Sequence, residues 1–218
     1  MEGLFSVDGK GFQFLSTASE LVILNLLWLL CSLPILTIGG STTALYSIAI
    51  KIVKNEESYV ARGFWNSFKR NFRQATTIWV LILAVIAILY FDFYFSAHAP
   101  VKGAAVLFVP FALAAMLLIL TGIYVFPILA VFDNSIGKTL KNSLYMALAH
   151  FPSSVLAVVV SAGPIVVLLL LHNRLSLALF LDLVIGFAFF AWVNSHIFVR
   201  LFERYMPKSG DIVPKEIV

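Results

Sequence analysis

Five long apolar runs, almost free of charge, restrict how this chain can fold more than any other feature. They span Leu21–Ile38, Thr76–Phe95, Gly103–Phe132, Phe151–Leu171 and Leu175–Val199, and only Asp92, Asp182 and His196 interrupt them with an acid, base or imidazole. A bilayer core about 30 Å thick needs about 20 apolar residues of helix, so each run is long enough to cross. Gly103–Phe132 would reach roughly 45 Å as one helix, too short to cross twice, and predicts one tilted or protruding span with Pro110 and Pro127 as bends or ends. Membrane barrels alternate apolar and polar residues over about ten positions, and these runs do not alternate. With 61% hydrophobic and 12% charged residues, the chain lies far outside soluble composition. The predicted fold is all-α, a polytopic membrane bundle of five spans forming one domain over 1–218.

The opening MEGLFSVDGKGFQF lacks the basic flank of a secretory signal, so the first span is expected to stay in the mature chain. One cysteine, Cys31, predicts neither an intrachain disulfide nor a thiolate metal cluster.

Positive charge sets orientation. Twelve of the fifteen lysines and arginines fall in 39–75, in 133–150 and in the tail from Arg200, while Lys10, Lys102 and Arg174 lie on the other side. That predicts an outside N-terminus and a cytoplasmic C-terminus. A parallel repeat of 21–95 and 103–171 fits the same layout, with Pro34-Ile35-Leu36 echoed by Pro127-Ile128-Leu129 and FKRNFRQA by LKNSLYMA. In this reading Thr42–Lys54 is an additional cytoplasmic surface helix.

On a helical wheel Phe64, Trp65, Phe68, Phe72 and Ala75 share an arc of roughly 100°, with Lys69, Arg70 and Arg73 opposite. This basic, aromatic-faced helix suits the inner leaflet boundary, either as an anchor or as a docking surface for a partner. A net charge of +4 is explained by the positive-inside bias, so a nucleic-acid partner is not expected.

Gly137-Lys138-Thr139 has Phe132 where a P-loop needs its first glycine, and no strand precedes it. Pro34 followed by Gly39-Gly40-Ser41-Thr42-Thr43 reads as a helix break, with glycine as a left-handed cap and Ser41 or Thr42 serving free N–H groups. His98, His150, His172 and His196 occur singly without metal-ligand spacing, and no catalytic motif is present, so no cofactor, metal or enzyme activity is expected. Polar groups at membrane depth are the remaining candidates: Asn25, Asp92 and Asp182 toward the outer face, Asn194 and His196 toward the inner. Asp182 reads either as a partner for Asn25 or another helix's polar group, or as a substrate or ion site.

The block from Asn25 to Trp79 carries Asn25-Leu26-Leu27-Trp28, Ser32-Leu33-Pro34, Thr37-Ile38-Gly39, Thr43-Ala44-Leu45-Tyr46 and Phe68-x-x-Asn71-Phe72. These resemble the signature region of the YesL-like family of uncharacterised bacterial membrane proteins, and GLFSVDGKGFQFL is similar too. Beyond Phe91 the likeness is one of hydropathy. The resemblance implies a domain of unknown function, typically encoded near carbohydrate-uptake and polysaccharide-degradation genes of Gram-positive bacteria, and supplies no catalytic residues. The expected role is a non-enzymatic plasma-membrane accessory or regulator of carbohydrate uptake, contacting a permease or sensor kinase through Thr42–Arg73. The alternative is a small oligomeric transporter or channel for a sugar or ion.

Overall fold

The structure, a computed structural model, describes residues 10–56, 59–98 and 108–205. Among these it is all helix: α1 Lys10–Ser32, α2 Ile38–Val53, α3 Val60–His98, α4 Phe108–Val131, α5 Ile136–Ala149, α6 Phe151–Ser161, α7 Gly163–Leu170, α8 Leu175–Leu181, a π-helical turn Asp182–Gly186, and α9 Phe187–Phe202. Five stretches are long and apolar enough to cross a membrane, at 13–32, 35–53, 60–96, 109–131 and 172–202.

Their membership corrects the expected list. Thr42–Lys54 is not a surface helix: all but its last residue lies within α2, which is wedged among α1, α3, α4 and α9 and buries Gly39 to Thr43 except Thr42, Ala44 to Tyr46, and Ile48 to Ile50. Its hydroxyls imitate a polar face, yet they bond back to their own helix: Ser41 Oγ donates to the Ile38 carbonyl at 3.0 Å and Thr43 Oγ1 to the Gly39 carbonyl at 2.9 Å. A hydroxyl satisfied this way can face apolar neighbours.

Phe151–Leu171 is carried by two short helices instead of one. They meet at Ala162, ahead of Pro164, which has no N–H to continue the ladder, and α6 bends from α5 by 104°. The basic segment and the second span, expected as separate helices, fuse into the 39 residues of α3. At 1.5 Å per residue it is roughly 58 Å long, well beyond the hydrocarbon, so its basic first turns project past the apolar part. Pro110 lies in the first turn of α4, where a missing N–H costs nothing, and Pro127 lies inside the same helix.

The break after α1 comes earlier than the glycines. Pro34 is extended, with φ −76° and ψ 119°, and Thr37 Oγ1 lies 2.7 Å from the Pro34 carbonyl and 2.5 Å from that of Cys31, serving acceptors left free by the helix end. Gly39 and Gly40 are therefore not caps but helical positions of close approach. A Cβ on Gly39 would lie 2.6 Å from the Ala75 carbonyl oxygen and 2.8 Å from Trp79 Cβ; one on Gly40 would lie 3.2 Å from the Phe68 ring. With Ile48 packed on Gly63, these contacts run α2 antiparallel to the first half of α3.

Aromatic rings fix the remaining order. Trp79 meets Phe126 and Phe93 meets Phe111, so α3 and α4 are antiparallel. Tyr124 meets Phe198 and Phe132 meets Phe202, so α4 and α9 run together. The end of α2, the start of α3, α5 and the end of α9 consequently gather at one end of the bundle, bringing Lys51, Arg62, Lys69, Arg70, Arg73, Lys138, Lys141 and Arg200 with them.

Candidate functional site

At that end, the first turns of α3 divide the predicted aromatic stripe between two environments. Phe64 and Ala75 are fully buried, and Phe68 is half-buried against Gly40 of α2. Trp65 remains 48% exposed, and Phe72 lies at the edge. Lys69 Nζ sits 5.2 Å from the centre of the Trp65 ring, a cation–π contact, and Arg70 and Arg73 are exposed beside it. Phe68 stacks against Trp65 at 5.6 Å and meets Phe72 at a tilt, 5.3 Å between ring centres. The outward surface is therefore Trp65 with the cations, held on a rigid foundation by α2.

The intramembrane polar residues separate into three kinds. Asn25 is fully buried and holds the π-helical turn: its Nδ2 donates to the Asp182 carbonyl at 3.1 Å and the Leu183 carbonyl at 2.7 Å, and its Oδ1 accepts from the Ala188 N–H at 2.9 Å. A π turn frees main-chain groups from the regular ladder, and one carboxamide supplies both the donor and the acceptor they need. Asn25 thus pairs with the main chain of Asp182, and not with its carboxyl.

Asn194 joins helices in the core, donating through Nδ2 to Ser161 Oγ at 2.7 Å and to the Ala157 carbonyl at 3.3 Å. The Tyr46 hydroxyl of α2 lies against Asn194 and Ser161. Asn194 Oδ1 nonetheless has no partner of full hydrogen-bond geometry. We regard Tyr46 as its neighbour in a loosely made contact, because the hydroxyl is the adjacent donor. Lower on α6, Ser154 Oγ accepts or donates at 3.0 Å with the Tyr124 hydroxyl. His196 and Asp92 belong to neither group: His196 bonds back to the Trp192 carbonyl and meets that indole edge-on, while Asp92 is half-buried on α3 and is not hydrogen-bonded to Asp182.

Sequence reasoning missed Tyr46, Tyr124, Ser154, Ser161 and the pairing of His150 with the Tyr205 hydroxyl at 2.9 Å. The spacing of Ser154 and Ser161, seven residues apart and hence on one helix face, was a usable signal. The π turn had none. Asn134, with both side-chain amide atoms buried and unpartnered while its carbonyl accepts from Gln74, was likewise not legible. Among the described residues no three histidine, cysteine, aspartate or glutamate side chains come together as a metal site.

These features define a multi-pass, all-α membrane protein with a basic, aromatic end and a buried polar seam. Residues 21–93, which take in the end of α1, all of α2 and most of α3, match the family described as a protein of unknown function, DUF624. The Bacillus subtilis (strain 168) "Uncharacterized protein YesL" is 27% identical over 172 residues, covering 77% of this chain and 79% of its own length. "Uncharacterized protein YteU" of the same organism is 26% identical over 152 residues, 65% of each chain. No solved structure matches. The chain is thus similar to YesL and YteU over much of its length, and to the DUF624 family over residues 21–93.

Proposed function

We propose that this protein is a non-enzymatic accessory or regulatory component of carbohydrate uptake in the plasma membrane, its N-terminus outside and its C-terminus cytoplasmic, docking a permease or sensor kinase at the basic end of α3. The observation that carries the docking role is the exposed Trp65, capped by Lys69 and flanked by Arg70 and Arg73 on a helix that extends past the apolar zone. Aromatic and arginine side chains of this kind anchor protein interfaces, and clustered cations favour an acidic partner surface. The association with carbohydrate uptake rests on the family resemblance alone. Affinity capture of the intact protein from its own membrane in mild detergent tests both parts. Recovery of a sugar permease or sensor kinase, lost on Trp65→Ala with Arg70→Glu and Arg73→Glu, is the expected result. Unchanged recovery overturns the docking role. Phe68 is a poor choice for this test, because it supports α2.

The buried polar seam favours a second reading, a small oligomeric transporter or channel. It predicts solute flux in reconstituted vesicles that falls on Asp182→Asn, and no flux across sugars and ions would end it.

A further inference from the structure

We propose that Asp182 is a membrane-embedded proton-binding site, held as the neutral acid over Gly186 and coupled through its proton to the π-helical turn. The side chain is 6% exposed, and its Oδ2 is buried with no hydrogen-bond partner. Bulk water does not bathe that oxygen, while Leu181 and Leu183 on either side of Asp182 are exposed, so an apolar reagent has an approach from the lipid side.

The direction of the side chain is the second observation. Side chains on a helix lean toward its N-terminus, and an acid near the outer end of a span would normally reach back toward water. Asp182 instead lies over the residue one turn further into the span. A methyl group at Gly186 would collide with Asp182 Oδ1, so the missing side chain at Gly186 is what admits the carboxyl.

Among the described residues nothing around the carboxyl offsets a charge. The turn packs against α1, α7, α8 and α9. Helices α7 and α8 contain no titratable residue. Helix α1 meets the turn at Asn25, and its titratable residues Lys10, Glu20 and Cys31 lie roughly 22, 8 and 9 Å from Asn25 at helical rise. Helix α9 carries His196 and Arg200, roughly 21 and 27 Å further along at helical rise. His172 and Arg174, before α8, are both exposed in the turn at the outer end. Asn25 spends its amide on the main chain of the π turn and offers the carboxyl nothing. A carboxylate here would be a buried, unpaired charge; the protonated acid is a neutral polar group. Loss of the proton therefore drives the side chain off Gly186 and toward water, and the turn it begins must move with it. This site stands apart from the docking face on α3.

Dicyclohexylcarbodiimide tests the proposal on the intact protein in vesicles. This apolar reagent takes up a protonated carboxyl by adding the O–H across its C=N bond, and the adduct rearranges to a stable acylurea that retains every atom of both. Peptide mass spectrometry at neutral pH is expected to find Asp182 modified, and a charged, water-soluble carbodiimide is expected to leave it unmodified. Gly186→Ala should cut labelling several-fold by displacing the carboxyl. Asp182→Asn should retain the melting temperature in detergent, because a neutral amide replaces a neutral acid. Absence of labelling, equal labelling by both reagents, or a fall of several degrees for Asp182→Asn would each overturn the proposal.

Discussion

The two ends of this bundle are built by different rules. Around α2 the helices close to backbone contact: glycine and small hydroxyl residues bring α2 onto α3, and Phe198, Phe202, Tyr124 and Phe64 fill the centre. Toward the other end α3 exposes Val80, Leu81, Val85, Ile86 and Ile88, and α4 exposes Val109, Leu113, Met116 and Ile119. Apolar grooves of about 510 Å³ and 470 Å³ open there, between α3 and α4 and between α4 and α6. In a bilayer, lipid tails are as apolar as leucine, so exposed leucine is no fault and gives helices no reason to associate. Close van der Waals packing and interhelical hydrogen bonds supply that reason: α2 has both, and Asn25 supplies the bonds at the π turn, whereas the outer parts of α3 and α4 are left to lipid.

The sharpest way to break the comparison is to place equal bulk in both regions. Gly39→Leu forces a side chain into the Ala75 carbonyl and Trp79, which are backbone and Cβ atoms that cannot step aside. A loss of about 3 kcal/mol is expected, at the upper end for overpacking. Size-exclusion profiles after heating in detergent should show the variant aggregating well below the parent. A profile matching the parent would mean α2 does not pack as described.

How legible this was follows from particular residues. Four of the five spans and the break near Pro34 could be read directly, because uncharged length and proline each have one dominant consequence in a membrane. The place of α2 could not. Its serines and threonines imitate the polar side of a surface helix, and only their bonds to Ile38 and Gly39 reveal that they need no water. The aromatic stripe from Phe64 to Ala75 was correctly seen as one face, but periodicity does not say whether lipid or another helix covers it. The π turn was hidden for a related reason: Asp182 to Gly186 keeps ordinary helical composition, and its extra residue per turn is stabilised by Asn25, 157 positions away from Asp182.

Asn25 gives the next largest effect. Asn25→Leu keeps the volume roughly but strands the Asp182 and Leu183 carbonyls and the Ala188 N–H inside the bundle. A cost of about 2 kcal/mol is expected, since each unsatisfied buried group costs roughly 1–3 kcal/mol and the turn can relax. Asn25→Asp should fare no better, because it loses the donor and adds a charge. Chemical denaturation in mixed micelles measures both, and a neutral outcome for Leu would show that the π turn is stable without its amide. Tyr124→Phe removes only the hydroxyl shared with Ser154, which still bonds the Ala147 and His150 carbonyls. Its expected cost is about 0.6 kcal/mol, typical of interhelical hydrogen bonds in membranes.

The smallest expected effect is the counterpart of Gly39. Gly122 lies on α4 in the groove facing α3, and a methyl there would meet nothing within 4 Å. Gly122→Ala should therefore be neutral, or more stable by up to about 1 kcal/mol from helix propensity. The pair of glycines separates two meanings of the same residue in the same kind of helix: at 39 its smallness is used by a neighbour, and at 122 the space belongs to whatever fills the groove. If Gly122→Ala proved as damaging as Gly39→Leu in detergent, the groove would have to be closed in the folded protein. The outer half would then be packed as tightly as the inner one.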